Sequence, residues 1–80
     1  MKATVTVHLK NGVLDPQGKA IAHALQGLGY SEAHDARVGK IIELELDETD
    51  QVRAQMRVKE MCERLLANTV IESYRIELVS

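Results

Sequence analysis

The sequence predicts a small α+β domain of order β-α-β-α-β, with an antiparallel or mixed sheet and both helices on one face of it. Three observations carry that reading. Three segments alternate apolar with polar residues, the period of a half-buried strand. Two intervening segments repeat apolar residues three and four apart behind helix-start chemistry. Each strand has a single apolar face, so its cover must come from one side.

The first strand runs from Lys2 to Lys10, with Ala3, Val5, Val7 and Leu9 on one face and Thr4, Thr6 and His8 on the other. Asn11-Gly12 ends it. Asp15-Pro16 starts a helix, because the Asp carboxylate can accept from first-turn N–H groups and Pro16 sits where none is needed. That helix is expected to bury Ile21, Ala24, Leu25 and Leu28, and Gly29 stops it by adopting positive φ.

The middle segment allows two readings. Gly39-Lys40 could turn a tight hairpin, but Val38 would then face Ile41 and Ala36 would face Glu43, mixing apolar residues with a carboxylate. Read straight through, Ala36, Val38, Ile42, Leu44 and Leu46 share one side, with Lys40 the exception. A one-residue slip would reverse every side chain, so parity decides for one long strand over residues 36–46, bent if anywhere at Gly39. The second helix follows the acidic lead-in Asp47-Glu48-Thr49-Asp50 and buries Ala54, Val58, Met61, Cys62 and Leu65. Asn68 is expected as a left-handed cap. The last strand sets Tyr74, Ile76 and Leu78 against Ser73, Arg75 and Glu77.

Eighty residues hold one core. A chain this short buries only roughly 60% of its unfolded surface. With no Phe or Trp and only Tyr30 and Tyr74 as aromatics, this core is built from aliphatic residues. The single cysteine, Cys62, leaves no internal disulfide and fits a reducing, cytosolic compartment. Such cores are usually rescued by a metal, a disulfide or self-association, so a homodimer or higher multiple is expected. Ten basic residues, scattered and offset by twelve acidic ones, disfavour nucleic acid. Apolar runs are too short for a membrane span or a signal peptide.

No catalytic constellation emerges. The stretch Gly12 to Ala20 lies between strand and helix as a phosphate loop would, but five residues separate its glycines where the motif has four. Ala20 also stands where a hydroxyl should reach a metal, and Asp15 brings the wrong charge. His8, His23 and His34 match no ligand spacing, and Cys62 lies on an apolar stripe. Glu43 and Glu45 share a face as any solvated pair would. What remains are docking candidates: Asp15, Gln17, Gly18 and Lys19 at the compact first-helix start, and Val52 and Met56, with Ala67, on the outer side of the second helix.

The run Gly12-Val13-Leu14-Asp15-Pro16-Gln17-Gly18-Lys19-Ala20, then Ala24-Leu25 and Leu28-Gly29, resembles the PurS family. So do Val38-Gly39-Lys40 leading into Glu43-Leu44, Cys62-Glu63, Leu65-Leu66-Ala67-Asn68 and Ile71-Glu72-Ser73-Tyr74. The resemblance spans almost the whole chain. It implies the small, non-catalytic subunit of phosphoribosylformylglycinamidine synthase, an ATP-dependent enzyme of purine biosynthesis. In that scheme a glutaminase subunit releases ammonia, and a large synthetase subunit, which binds ATP and Mg, consumes it. The small subunit, a dimer with no cofactor of its own, bridges the two. The competing expectation is a dimeric regulatory module that binds a small molecule.

Overall fold

A computed structural model describes residues 1–79. The elements are β1 (Lys2–Leu9), α1 (Pro16–Gly27), β2 (Gly39–Glu45), α2 (Gln51–Met61) with one π turn after it (Cys62–Leu66), and β3 (Glu72–Val79). The predicted order and class therefore hold. β1 lies in the centre and pairs antiparallel with both neighbours, giving the sheet order β2-β1-β3. Val5 stands opposite Ile42 on one side and Ile76 on the other.

The core forms where the alternation predicted it. Ala3, Val5 and Val7 are buried beneath Val58 and Cys62 of the second helical segment, flanked by Ile42, Leu44, Ile76 and Leu78. α2 begins at Asp50, whose carboxylate accepts from the Val52 and Arg53 N–H groups at 2.9 and 3.3 Å. Its stripe holds through Ala54, Val58 and Cys62 and then fails. Leu65 is 83% exposed, and Leu66 packs on the core instead. The π turn is the reason: it winds more residues per turn, so the apolar phase slips by one position. Ala67, expected outside, is buried as the chain leaves this turn. Asn68 does not adopt positive φ. Its side chain accepts from the Val70 N–H and its carbonyl from Ile71 and Glu72, so the turn into β3 closes without a left-handed residue.

Residues 36–46 form no hairpin, as parity required, but the strand starts at Gly39 rather than at residue 36. The Val38 N–H donates to the Asp15 carboxylate at 2.8 Å and is thereby drawn away from the ladder.

The largest departure is α1. Only α2 lies on the sheet, whereas α1 makes no comparable contact with any strand or with α2. The molecule measures 49 × 25 × 14 Å and its radius of gyration is 16.1 Å, against about 12 Å for a compact chain of this length. An eight-residue strand spans about 27 Å and a twelve-residue helix about 18 Å. Together they account for the long axis, so α1 projects beyond the end of the sheet. Its small-residue face meets the returning chain: Gly18 and Ala22 are buried, and a Cβ on Gly18 would collide with the Ala36 carbonyl oxygen. The Gln26 side chain donates to the Ala33 carbonyl at 2.9 Å further along. Ile21, Ala24 and Leu28, expected in the core, are therefore exposed, and Leu25 is half-buried. The end of α1 is as predicted. Gly29 has φ 100°, with Gly29 N–H donating to Gln26 and Tyr30 N–H to Leu25, both at 3.0 Å.

Candidate interaction surfaces

The base of α1 is held by two side chains that sequence spacing does not link. Both oxygens of Asp15 are used: one accepts from the Gly18 N–H at 2.9 Å, the other from Val38, twenty-three residues on. These bonds, Val38's first and Gly18's next, hold the Asp15 carboxyl below the usual carboxylate range, overcoming the opposite pull of burial, with Arg37 adding a smaller electrostatic contribution. Arg37 in turn donates to the carbonyls of Val13 at 2.8 Å and Lys10 at 3.1 Å. One acid and one guanidinium thus staple the loop, the helix start and the head of β2 together.

That stapling sorts the docking candidates. Asp15 is buried in its own hydrogen bonds, and Gly18 lies against the Ala36 carbonyl. Both are thus engaged within the chain, although Asp15 still borders the cleft that Gln17 lines. Gln17 and Lys19 are exposed, and Gln17 lines an open cleft of about 390 Å³ with His8, Lys40 and Glu72. On α2, Val52 and Met56 are 70% and 65% exposed and line a separate depression with Arg53 and Arg57. The two candidate groups therefore lie on different elements and line no common cleft.

Elsewhere the chemistry is structural. The Tyr74 hydroxyl donates to Glu63 at 2.6 Å, which pushes the phenol up to about 12, with burial a smaller cause. Burial raises the Cys62 thiol, and the neighbouring Glu63 charge adds to that. Among the described residues no cluster of three His, Cys, Asp or Glu could hold a metal ion. No helix there is long and apolar enough to cross a membrane. The Arg37 and Tyr74 contacts had no signal in the sequence. The close approach at Gly18 did have one, since Gly18 and Ala22 are small residues four apart.

A family model described as "PurS: Phosphoribosylformylglycinamidine (FGAM) synthase" matches residues 2–80. The chain belongs to the PurS family. It is a subunit of phosphoribosylformylglycinamidine synthase and serves purine biosynthesis. Phosphoribosylformylglycinamidine synthase subunit PurS of Bacillus subtilis is 53% identical over 77 residues, which cover 96% of this chain and 90% of that protein. A crystal structure of B. subtilis PurS superposes with a TM-score of 0.86 at 54% identity, covering 95% of this chain and 94% of the other. A chain of the PurLQS structure from Thermotoga maritima does so with the same TM-score at 33% identity, over 95% and 93%. For a PurS-family member, the three-stranded antiparallel sheet with two helices is thus the family fold.

Proposed function

We propose that this chain is the bridging subunit of the synthase. As a homodimer or higher multiple it joins the glutaminase and synthetase subunits and assists ammonia on its way between them. The reaction converts formylglycinamide ribonucleotide to formylglycinamidine ribonucleotide with ATP and glutamine. ATP and Mg belong to the large subunit, and this chain brings no cofactor. The observation that carries the reading is the superposition on a chain of PurLQS at a TM-score of 0.86. The same score against B. subtilis PurS supports a shape set within PurS itself. A core whose largest fully buried side chains, among the described residues, are Val5, Val7, Val58 and Cys62 supports self-association. The buried, unpaired Cys62 fits the cytosol.

Gln17 and Lys19, with Val52 and Met56, are the proposed contacts to the other subunits. In the reconstituted complex, Gln17→Ala combined with Lys19→Glu is expected to lower glutamine-dependent synthesis about tenfold, the effect of losing a contact worth about 1.4 kcal/mol. Synthesis from added ammonium salt should persist, because free ammonia bypasses the bridge. Equal loss of both activities would assign the site to the synthetase reaction itself. Retention of both, with the chain folded, would leave Gln17 and Lys19 no bridging role.

A further inference from the structure

The charges of this chain are segregated, and the cations gather on the second helical segment. Residues 51–66 hold four basic residues against two acidic ones, whereas the other sixty-four residues hold six against ten. One of those two acids, Glu63, is bound by the Tyr74 hydroxyl. At about 100° per residue, Val52 and Met56 point away from the buried Ala54 and Val58, with Arg53, Arg57 and Glu60 along one flank. A shallow depression lined by Arg57, Glu60 and Arg64 continues that flank into the π turn.

The ion pairs among the described residues are Lys2–Glu43, Arg53–Glu48 and Arg75–Glu77. Arg57 and Arg64 are exposed and take part in none of them. Glu60 lies about one turn from both and pairs with neither. Asp47 and Glu48 border the inner side of Arg57, but Arg53 already holds Glu48 at 2.9 Å. A cation suits a helix C-terminus, which accounts for Arg64 but not for Arg57 at mid-helix.

Charge selects the occupant. A guanidinium meets a carboxylate through two parallel N–H bonds, and Arg and Met are enriched at interfaces where Lys is depleted. A second copy seated two-fold on this patch would set arginine against arginine. Single-stranded nucleic acid would need aromatic stacking platforms in a basic groove, and the face offers no aromatic side chain. We infer that the outer face of α2, with Met56 at its centre and Arg57 and Arg64 on its flank, seats a carboxylate-rich surface of another subunit. The inference rests on the reading that Val52 and Met56 meet the other subunits, and it adds the chemistry of what meets them.

Binding of the wild type, Arg57→Glu, Met56→Ala and Lys10→Glu to the purified glutaminase and synthetase subunits, at low and high salt, tests this. Lys10 is exposed and lies off α2, so its reversal controls for overall charge. At low salt the dissociation constant is expected to rise at least about tenfold for Arg57→Glu and to stay unchanged for Lys10→Glu. The gap between wild type and Arg57→Glu should narrow at high salt, because exposed charges are screened. Full affinity in Arg57→Glu with weakened Met56→Ala overturns the acidic partner and leaves the α2 contact standing. Full affinity in both removes the α2 contact itself. Equal weakening by Lys10→Glu reduces the effect to net charge and overturns the inference. Should Arg57→Glu lose its helical circular dichroism, Arg57→Gln decides, since it removes the charge without reversing it. Weaker binding of Arg57→Gln at low salt supports the seat, and unchanged binding refutes it.

Discussion

Asp15 ties the first helix start to the head of β2, and its ionisation is tied to that role. The carboxylate accepts from Gly18 and Val38 only as an anion without cost, so its folded pKa lies below its unfolded one. Its contribution to stability is therefore fully present above the ordinary carboxylate pKa and is lost as pH falls through the lowered one. Thermal melts in the acid range should show this loss in the wild type. Asp15→Asn should be less stable at neutral pH and flatter in acid; parallel pH profiles would refute it. Tyr74 runs the opposite way. Its phenol is raised to about 12 by donation to Glu63, so the stability it contributes is present below about 10 and is lost as pH rises through about 12. Glu63→Gln should bring the Tyr74 absorbance titration back toward that of a free tyrosine. An unmoved midpoint would mean the hydrogen bond is not its cause.

At the scale of elements, the glycines of α1 separate local propensity from packing. Gly to Ala inside a helix gains up to about 1 kcal/mol. Gly27 faces open space, so Gly27→Ala should raise stability by roughly that amount. Gly18 has the Ala36 carbonyl where its Cβ would go, and backbone cannot step aside as a flexible side chain does. Overpacking of that kind costs roughly 1–3 kcal/mol, so Gly18→Ala should destabilise. Denaturant midpoints that move the same way for both would contradict the close approach.

The same comparison shows what the sequence could and could not tell. β1 was legible because Ala3, Val5 and Val7 alternate against Thr4 and Thr6 under a strict parity rule. Both helix starts were legible because Asp15 and Asp50 cap by local chemistry. Leu65 was misplaced because a π turn leaves no mark on residue types and shifts phase silently. Ile21 and Leu28 were misplaced because a periodic stripe says that a helix has an apolar face. It does not say whether the cover belongs to the same molecule. Of the docking candidates, burial of Asp15 and Gly18 followed from contacts with residues about twenty positions away, beyond any local rule.

For the whole molecule, the core is a single layer of small side chains between one sheet face and one helix, with Cys62 at its centre and fully buried. Nothing short of parting α2 from the sheet exposes that sulfur, and burial also keeps it protonated. Labelling of Cys62 with a thiol reagent, followed by mass spectrometry across a denaturant series, should therefore track global unfolding with one midpoint. Rapid labelling under native conditions would show that the α2 layer opens independently.

The placement of β1 at the centre of the sheet has a consequence for synthesis. Lys2 finds one of its ladder partners at Val79, and the whole β1–β3 ladder joins residues 2–9 to residues 72–79. A ribosome adding roughly 5–20 residues per second takes about 3 to 13 seconds to travel from one to the other. Throughout that interval Ala3, Val5 and Val7 have a free strand edge and, until α2 is made, no cover at all. Folding is thus held back until almost the last strand has left the exit tunnel, and the nascent first strand is the segment on which holding chaperones would act.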